Sequence, residues 1–420
     1  MGDRASACVA ILATLDTKGP QASFVAETLR RQGVTPWVVD VGLGRSTSHA
    51  PADVACAEVA RAAGTELAAV RAFPSRHHMI EAMGRGAAAV LARRLEQGGL
   101  HGVLALGGNQ GAAIAAIALR DLPVGLPKLI VTTVASGNVR PYVGCKDVAT
   151  LFSVADLAGP VNRVTGPVLR NAALALAGMA LSGEAAPGSE RPAVAVTVLG
   201  NTQPAGDRAM QRLADAGYEP VAFHASGACG SAMEHLVEAG DVAAVLDLTP
   251  HELAEEVMGD GVYVPVSPGR LTAAGRRGIP QVVATGALEY LCFGPPETIP
   301  RAYRGRPMVL HNPMNTNVRL TADELARVGE VFAERLNAAR GPVALFLPEK
   351  GWSSYGAPGG PLHDAGADAA LVRVLEARLS PRVPLRKLPL HVNDPEFADA
   401  CADALLAMLG SRPGAEASRP

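Results

Sequence analysis

The chain has 420 residues, 48% of them hydrophobic yet only 4% aromatic, with 45 glycines and 32 prolines; this exceeds one ordinary domain and suits two α/β domains of short Ala/Val/Leu-rich elements. The 38 basic and 40 acidic residues are interspersed, and a formal net charge of -2 gives no long-range field to draw nucleic acid or anionic lipid. Six scattered cysteines without a C-x-x-C pair argue against a disulfide framework and a zinc site, and for reduced thiols in a cytoplasmic protein.

The first apolar run, Cys8 to Ala13 within an expected strand Ala7 to Thr14, is short and leads directly into Asp16 and Lys18, so it reads as a buried strand rather than a signal peptide, and the run around Ala172 to Leu181 is well short of the ~20 residues of a membrane span. Further strands are expected at Trp37 to Val41, Gly102 to Leu106 and Lys128 to Thr133, each nearly free of charge, as strands covered on both faces are. Helical segments alternate with them, the first entered at Pro20 and left near Gly33, the last running from about Val164 to Leu181. The pattern restarts after a small, polar stretch, with strands expected at Ala193 to Leu199, Pro220 to Phe223, Ala243 to Leu248, Gln281 to Ala284, Met308 to Leu310, Val343 to Phe346 and Leu388 to Val392. Thr321 and Glu324 have capping-box spacing, and Asn393-Asp394-Pro395 reads as a helix start. The expected fold is α/β: two Rossmann-like domains with mainly parallel sheets and an interdomain cleft. The first spans 1–183, a linker 184–192, the second 193–410, and a disordered tail 411–420.

A strand ending in Thr14-Leu15-Asp16-Thr17-Lys18-Gly19 and feeding a helix places backbone amides, two hydroxyls and an ammonium at a helix N-terminus, an arrangement that attracts phosphate. Asp16 can hold a hydroxyl or a magnesium-bound water, although neither standard glycine-rich phosphate motif is present. Asp40 ends the second strand about 20 residues later, where a carboxylate can hold a ribose hydroxyl or simply be solvated. Gly107, Gly108, Asn109 and Gly111 form a second loop where bare backbone can approach phosphate; tight strand-to-helix packing is the alternative. Thr133, Ser136 and Gly137 lie on a third loop at the same sheet edge, so one pocket from three loops is expected.

The segments Ala13 to Gly19, Gly107-Gly108, Pro127-Lys128, Ala135-Ser136-Gly137 and Val139 to Gly144 together resemble the Tm-one-like ATP-binding family. The likeness continues through Phe223 to Gly227, Ala232-Met233-Glu234, Leu246 to Thr249, Gly286-Ala287-Leu288, His311-Asn312-Pro313 and His391 to Pro395, covering nearly the whole chain. The family comprises bacterial proteins and the N-terminal region of a plant virus-resistance protein. Resemblance implies ATP in the first domain and a homodimer, with Mg2+ as the companion ion that Asp16 suits. Plant members continue into a TIM-barrel-like domain, which implies a separate barrel partner here. This chain departs at Gly107-Gly108-Asn109-Gln110-Gly111-Ala112, where the family usually has Gly-Gly-Ser-Gly-Gly-Thr, so hydroxyls and a glycine give way and two amides appear.

In the second half, Ser226, Gly227 and Gly230 lie at another helix start suited to a carboxylate or phosphate, with Asn312 as a further substrate contact. His224, Asp247, Glu289 and His311 follow separate strands and are candidates for acid–base chemistry; loop bracing and helix capping are the alternatives. Cys229 reads as a small loop residue or a nucleophile. The leading expectation is an enzyme using ATP on a small acidic metabolite. An ATP-gated interaction protein, and a nucleotide-independent isomerase, lyase or hydrolase of an oxo-acid, stand beside it.

Overall fold

The computed structural model describes residues 7–44, 51–182 and 190–410, which divide into two compact units meeting at 186/187. Most of the expected linker and the whole expected tail lie outside the described residues. The first unit runs β1 (Cys8–Ala13), α1 (Leu15–Arg31), β2 (Thr35–Asp40), α2 (Cys56–Ala62), α3 (Leu67–Arg71), α4 (Arg76–Glu96), β3 (Gly102–Gly107), α5 (Asn109–Leu119), β4 (Lys128–Thr132), α6 (Arg140–Val143), β5 (Ala149–Phe152) and α7 (Thr165–Ser182). Its five strands are all parallel in the order β2-β1-β3-β4-β5.

Alternation along β1 explains why both faces must be covered. Ala10 and Leu12 pack with Met83 and Leu91 of α4 and Ile114 of α5, while Val9, Ile11 and Ala13 pack with Val25 and Leu29 of α1 and Leu169 and Leu176 of α7. At the start of β4, Lys128 is fully buried, its Nζ donating to the carbonyls of Pro123 and Leu126 and pairing with Asp147 at 2.8 Å. This lysine therefore anchors the sheet edge remote from the strand C-termini.

The first helix corrects the expected entry at Pro20. It begins at Leu15, because the Thr14 carbonyl accepts from the amides of Thr17 and Lys18 and the Leu15 amide is held by Asp40. Proline inside a helix cannot donate and crowds the carbonyl four residues back, and the chain responds by leaving helical angles at Lys18 (φ -122°, ψ 15°). The polar hexapeptide is thus a kinked first turn rather than a loop.

The second unit runs β6 (Ala193–Val198), α8 (Gln203–Asp215), β7 (Glu219–His224), α9 (Ala228–Ala239), β8 (Ala244–Asp247), α10 (Glu252–Met258), α11 (Ala273–Arg277), β9 (Gln281–Ala284), β10 (Tyr290–Phe293), β11 (Met308–Asn312), β12 (Asn315–Arg319), α12 (Ala322–Asn337), β13 (Val343–Pro348), α13 (Ala365–Arg378), β14 (Leu385–Leu388) and α14 (Pro395–Gly410). Six strands form a parallel sheet, β14-β13-β9-β8-β6-β7, and β10-β12-β11 form a separate antiparallel sheet. Val194, Val196 and Val198 face α8 and α14, whereas Ala195 faces α9 and α11.

Both parallel sheets begin with the same reversal, the second strand lying outside the first and the third on its other side. The chain is therefore α/β with two Rossmann-like, doubly wound units, and each has a switch point where ligands of open parallel sheets gather. The antiparallel sheet goes beyond the sequence expectation, as do β5, β10 and β12. The last expected strand, Leu388 to Val392, lies instead at Leu385–Leu388.

Candidate functional site

In the first unit a cavity of about 620 Å3 opens beyond the C-terminal ends of β1 and β3. It brings together Thr14, Asp16, Thr17, Lys18, Gly108, Asn109 and Gly111, and adds Arg76, Gln110 and Asp156. The amino ends of α1 and α5 both border this space, so two helix dipoles and two cations share it. Val41, Leu43, Met79, Ile80 and Ile114 supply an apolar wall.

Internal bonds hold the polar turn in shape. Thr14 and Thr17 join their hydroxyls at 2.9 Å, and the Gly44 amide donates to Asp16 Oδ2 at 2.7 Å. Asp16 Oδ1 is buried without a hydrogen-bond partner among the described residues. Arg76 donates to Gln110 Oε1 at 3.2 Å, and Tyr142 donates to Asn109 Oδ1 at 2.7 Å, so the two amides that distinguish this loop are fastened to neighbours.

Asp40 is placed beneath the turn. Its Oδ1 accepts from the amides of Leu15 and Gly42 at 3.1 and 2.9 Å, a bracing role, and it is not among the lining residues. Gly107 is likewise structural in place: a Cβ there would lie 2.7 Å from Gly111 Cα, so only glycine lets β3 turn into α5 this closely. Thr133, Ser136 and Gly137 do not line the cavity; Thr133 lies beside Gly108.

The second unit has a smaller polar cavity of about 50 Å3, lined by Asn201, His224, Tyr263, Tyr290, Cys292, His311, Asn315, Asn317 and Tyr355 together with Leu199 and Gly200. Of the candidate acid–base residues, His224 and His311 meet here. Burial lowers His224 below the usual imidazole range, and His311 Nδ1 lies 2.8 Å from the Tyr355 hydroxyl. Asn312 accepts from the Met314 amide at 2.8 Å and so closes the β11–β12 turn.

Asp247 and Glu289 are elsewhere. Asp247 is fully buried against Arg270 at 2.9 Å and accepts from the Thr197 hydroxyl at 2.7 Å. Arg270 also pairs with Glu252 and Glu234, and although burial opposes its charge, Asp247, Glu252 and Glu234 hold the guanidinium protonated. Glu252 Oε1 in turn accepts from the amides of Gly227 and Gly230 at 2.6 and 3.1 Å. The anion at the start of α9 is therefore the protein's own carboxylate, which occupies the position expected for substrate; Ser226 lies beside it with its hydroxyl turned to the His224 carbonyl. Glu289 is buried, bonded by the Ser353 hydroxyl, and burial raises its carboxyl to about 7.

Beneath Cys292 lies a group that sequence reading missed. His251 Nε2 is 3.5 Å from Cys292 Sγ and 3.3 Å from Glu255 Oε1, and all three side chains are buried. His251 and Glu255 are four residues apart on one helical face, a legible pair, but Cys292 joins them only through the unexpected strand β10. Ala287 adopts φ 55°, uncommon for a residue with a side chain, and its carbonyl meets His251 Nδ1 at 2.6 Å. No described helix is long and apolar enough to cross a membrane.

The chain is 38% identical over 402 residues to a UPF0261 protein of Clostridium tetani, covering 96% of this chain and 98% of that one. It is also 36% identical to the ToMV susceptible protein tm-1(GCR26) and 35% identical to the ToMV resistance protein Tm-1(GCR237), both of Solanum lycopersicum, covering 94% of this chain but 55% of each tomato protein. Residues 7–185 match the N-terminal domain and residues 191–409 the C-terminal domain of the uncharacterised protein family UPF0261, and the chain belongs to that family.

Proposed function

We propose that the first unit binds ATP with magnesium in its cavity, and that the protein is an enzyme using this nucleotide on a small acidic metabolite held in the second unit. The observation that carries the reading is the pairing of a polar end, where Lys18, Arg76 and two helix starts converge, with an apolar wall able to receive a base, in one space of about 620 Å3. Asp16, with its unpartnered Oδ1, is the residue that would meet the metal's water shell. Lys18 and the α1 amides would meet phosphate, and the side-chain amides of Asn109 and Gln110 would stand in for the hydroxyls that the family's loop usually carries. The resemblance to the Tm-one-like family supports the choice of nucleotide.

Calorimetric titration with ATP and magnesium tests this directly. Lys18→Ala should weaken binding by ~1–3 kcal/mol, roughly 5- to 150-fold, the worth of one charge-assisted phosphate contact. Unchanged affinity would remove Lys18 from the site. A second reading, an enzyme needing no nucleotide, is favoured by the polar second cavity with its two histidines. Absence of heat at about 1 mM ATP would leave that reading in place of the first.

A further inference from the structure

We propose that His251, Glu255 and Cys292 form a binding site for a divalent transition metal, zinc by its donor set, with one coordination position open to the cavity of the second unit. This goes beyond the nucleotide reading and does not depend on it.

The first argument is geometric. Zinc bonds of about 2.0–2.1 Å to nitrogen, 2.0–2.2 Å to oxygen and 2.3 Å to sulfur imply tetrahedral edges of about 3.3–3.5 Å between N and O and about 3.5–3.6 Å between N and S. The observed separations are 3.3 Å from His251 Nε2 to Glu255 Oε1 and 3.5 Å from Nε2 to Cys292 Sγ. All three donor atoms lie within 4.8 Å of one another. Both edges that meet at His251 Nε2 thus already have the length a zinc tetrahedron requires, and the third donor pair is close enough for one ion to draw together.

Tautomer and orientation agree. A carbonyl can only accept, so the 2.6 Å contact with Ala287 O places a proton on His251 Nδ1 and directs Nε2 at the cluster; burial opposes a second proton there, Cys292 and Glu255 favour it, and a bound metal ion would take its place. Backbone carbonyls commonly hold metal-ligating imidazoles in this way. Tyr290 and Tyr263 pack against the ring with centroids 4.8 and 6.0 Å away, and the amides of Cys292 and Tyr263 orient the Glu255 carboxylate. A carbonyl on the ring nitrogen remote from sulfur serves a thiol–imidazole pair and a metal site alike; the feature that points to a metal is that the carboxylate shares the sulfur's nitrogen, so that three ligand atoms gather on one side of the ring.

Charge supplies the third argument. Once Cys292 gives up its proton to a bound ion, its thiolate and the Glu255 carboxylate carry two negative charges, and the backbone bonds to Glu255 come from the amides of Cys292 and Tyr263, with no arginine or lysine among the described residues paired to it. One divalent ion makes the group neutral, the condition for burial at low cost.

Cys292 also lines the cavity, so the fourth position faces it. The Cys292 thiol donates to Asn317 Oδ1 at 3.2 Å, a bond that metal binding would free, and the lining residues Asn201 and Asn315, each 9% exposed, have a buried Oδ1 without a partner among the described residues. These acceptors suit a donor such as a metal-bound water. A small molecule with a carbonyl or carboxylate oxygen is the ligand class that the open position would take, polarised by the ion.

The 420-residue chain, stripped with a chelator and dialysed against zinc, should retain about one zinc per chain by elemental mass spectrometry. Cys292→Ser and His251→Ala should each lower retention at least about tenfold, with circular dichroism confirming the fold. Cobalt(II) in the unmodified chain should give tetrahedral visible bands and a near-ultraviolet thiolate charge-transfer band, a readout that holds even if a variant fails to fold. Folded unmodified chain that retains no zinc and gives no cobalt band overturns the proposal, as does full retention by a folded Cys292→Ser variant. Alkylation of Cys292 by iodoacetamide at a rate that zinc does not slow would identify a thiol–imidazole pair instead, and would equally overturn it.

Discussion

Replacing Arg270 by leucine should cost about 3–5 kcal/mol of stability, the usual penalty for removing one partner of a buried ion cluster. The guanidinium is fully buried and meets Glu234 at 3.0 Å, Asp247 at 2.9 Å and Glu252 at 2.5 Å. Three carboxylates around one cation leave negative charge in excess, and backbone amides take up the remainder. Gly227 and Gly230 donate to Glu252, and Leu271 and Ala273 donate to Glu234 at 2.6 and 2.7 Å. Without the arginine those carboxylates must either stay charged in a low-dielectric interior or take up protons, and both routes are costly. Arg270→Lys keeps the charge but replaces a planar fork by a point donor, so an intermediate loss is expected. Urea unfolding read by tryptophan fluorescence measures this, because Trp352 lies in the second unit and a Trp37→Phe background silences the first. A loss below about 1 kcal/mol would mean that the cluster is not electrostatically coupled.

The same cluster shows why the second site is only partly legible in the sequence. Glycines after a strand and before a helix mark an anion-binding helix start, and Gly227 and Gly230 do hold an anion. Which anion arrives depends on Glu252, 25 residues after Gly227 in sequence, and no local pattern announces it. In the first unit the polar turn and its partner loop follow β1 and β3 directly, so their convergence can be anticipated from strand order alone. Arg76, Met79 and Ile80 enter from α4, whose position on the sheet is a tertiary fact.

Strands covered on both faces are the most legible elements, since their apolar runs have no other use. The missed strands break that rule for identifiable reasons. β12 is Asn-Thr-Asn-Val-Arg, a composition typical of turns, yet every residue is buried. Asn315 and Asn317 line the cavity, and Arg319 donates to the Glu289 carbonyl at 2.7 Å, so local preference has yielded to the requirements of a polar interior. β14 is Leu-Arg-Lys-Leu at the sheet edge, where exposed basic residues discourage pairing with another chain. The more apolar stretch after it forms a turn that carries His391 and Asn393 toward Ser353 and Asn201.

Glu289, a strand-end carboxylate expected to do acid–base chemistry, should instead reveal itself as a pH-dependent burden on stability. Burial raises its carboxyl from 4.5 to about 7, with Asp368 adding to the rise against the Ser353 hydroxyl and Arg319. Its Oε1 accepts from Ser353 Oγ, whereas Oε2 is buried without a partner. With the folded value above the unfolded one, the folded chain holds the proton longer. The favourable contribution is complete below about pH 4.5 and is lost as pH rises through about 7. A difference of about 2.5 pK units corresponds to roughly 3 kcal/mol. Glu289→Gln mimics the protonated group, so it should match the unmodified chain near pH 4.5 and exceed its stability increasingly up to about pH 8. Parallel urea titrations across that range check this. If the variant is the less stable protein at pH 8, Glu289 is ionised in the fold and its charge is held by Arg319, 3% exposed, which already donates to its backbone carbonyl. The expected sign instead requires that the oxygen without a partner carry the proton, making this residue a buried acid within the wall between β10 and the loop of Ser353, and leaving His224 and His311 as the imidazoles the second cavity presents to a ligand.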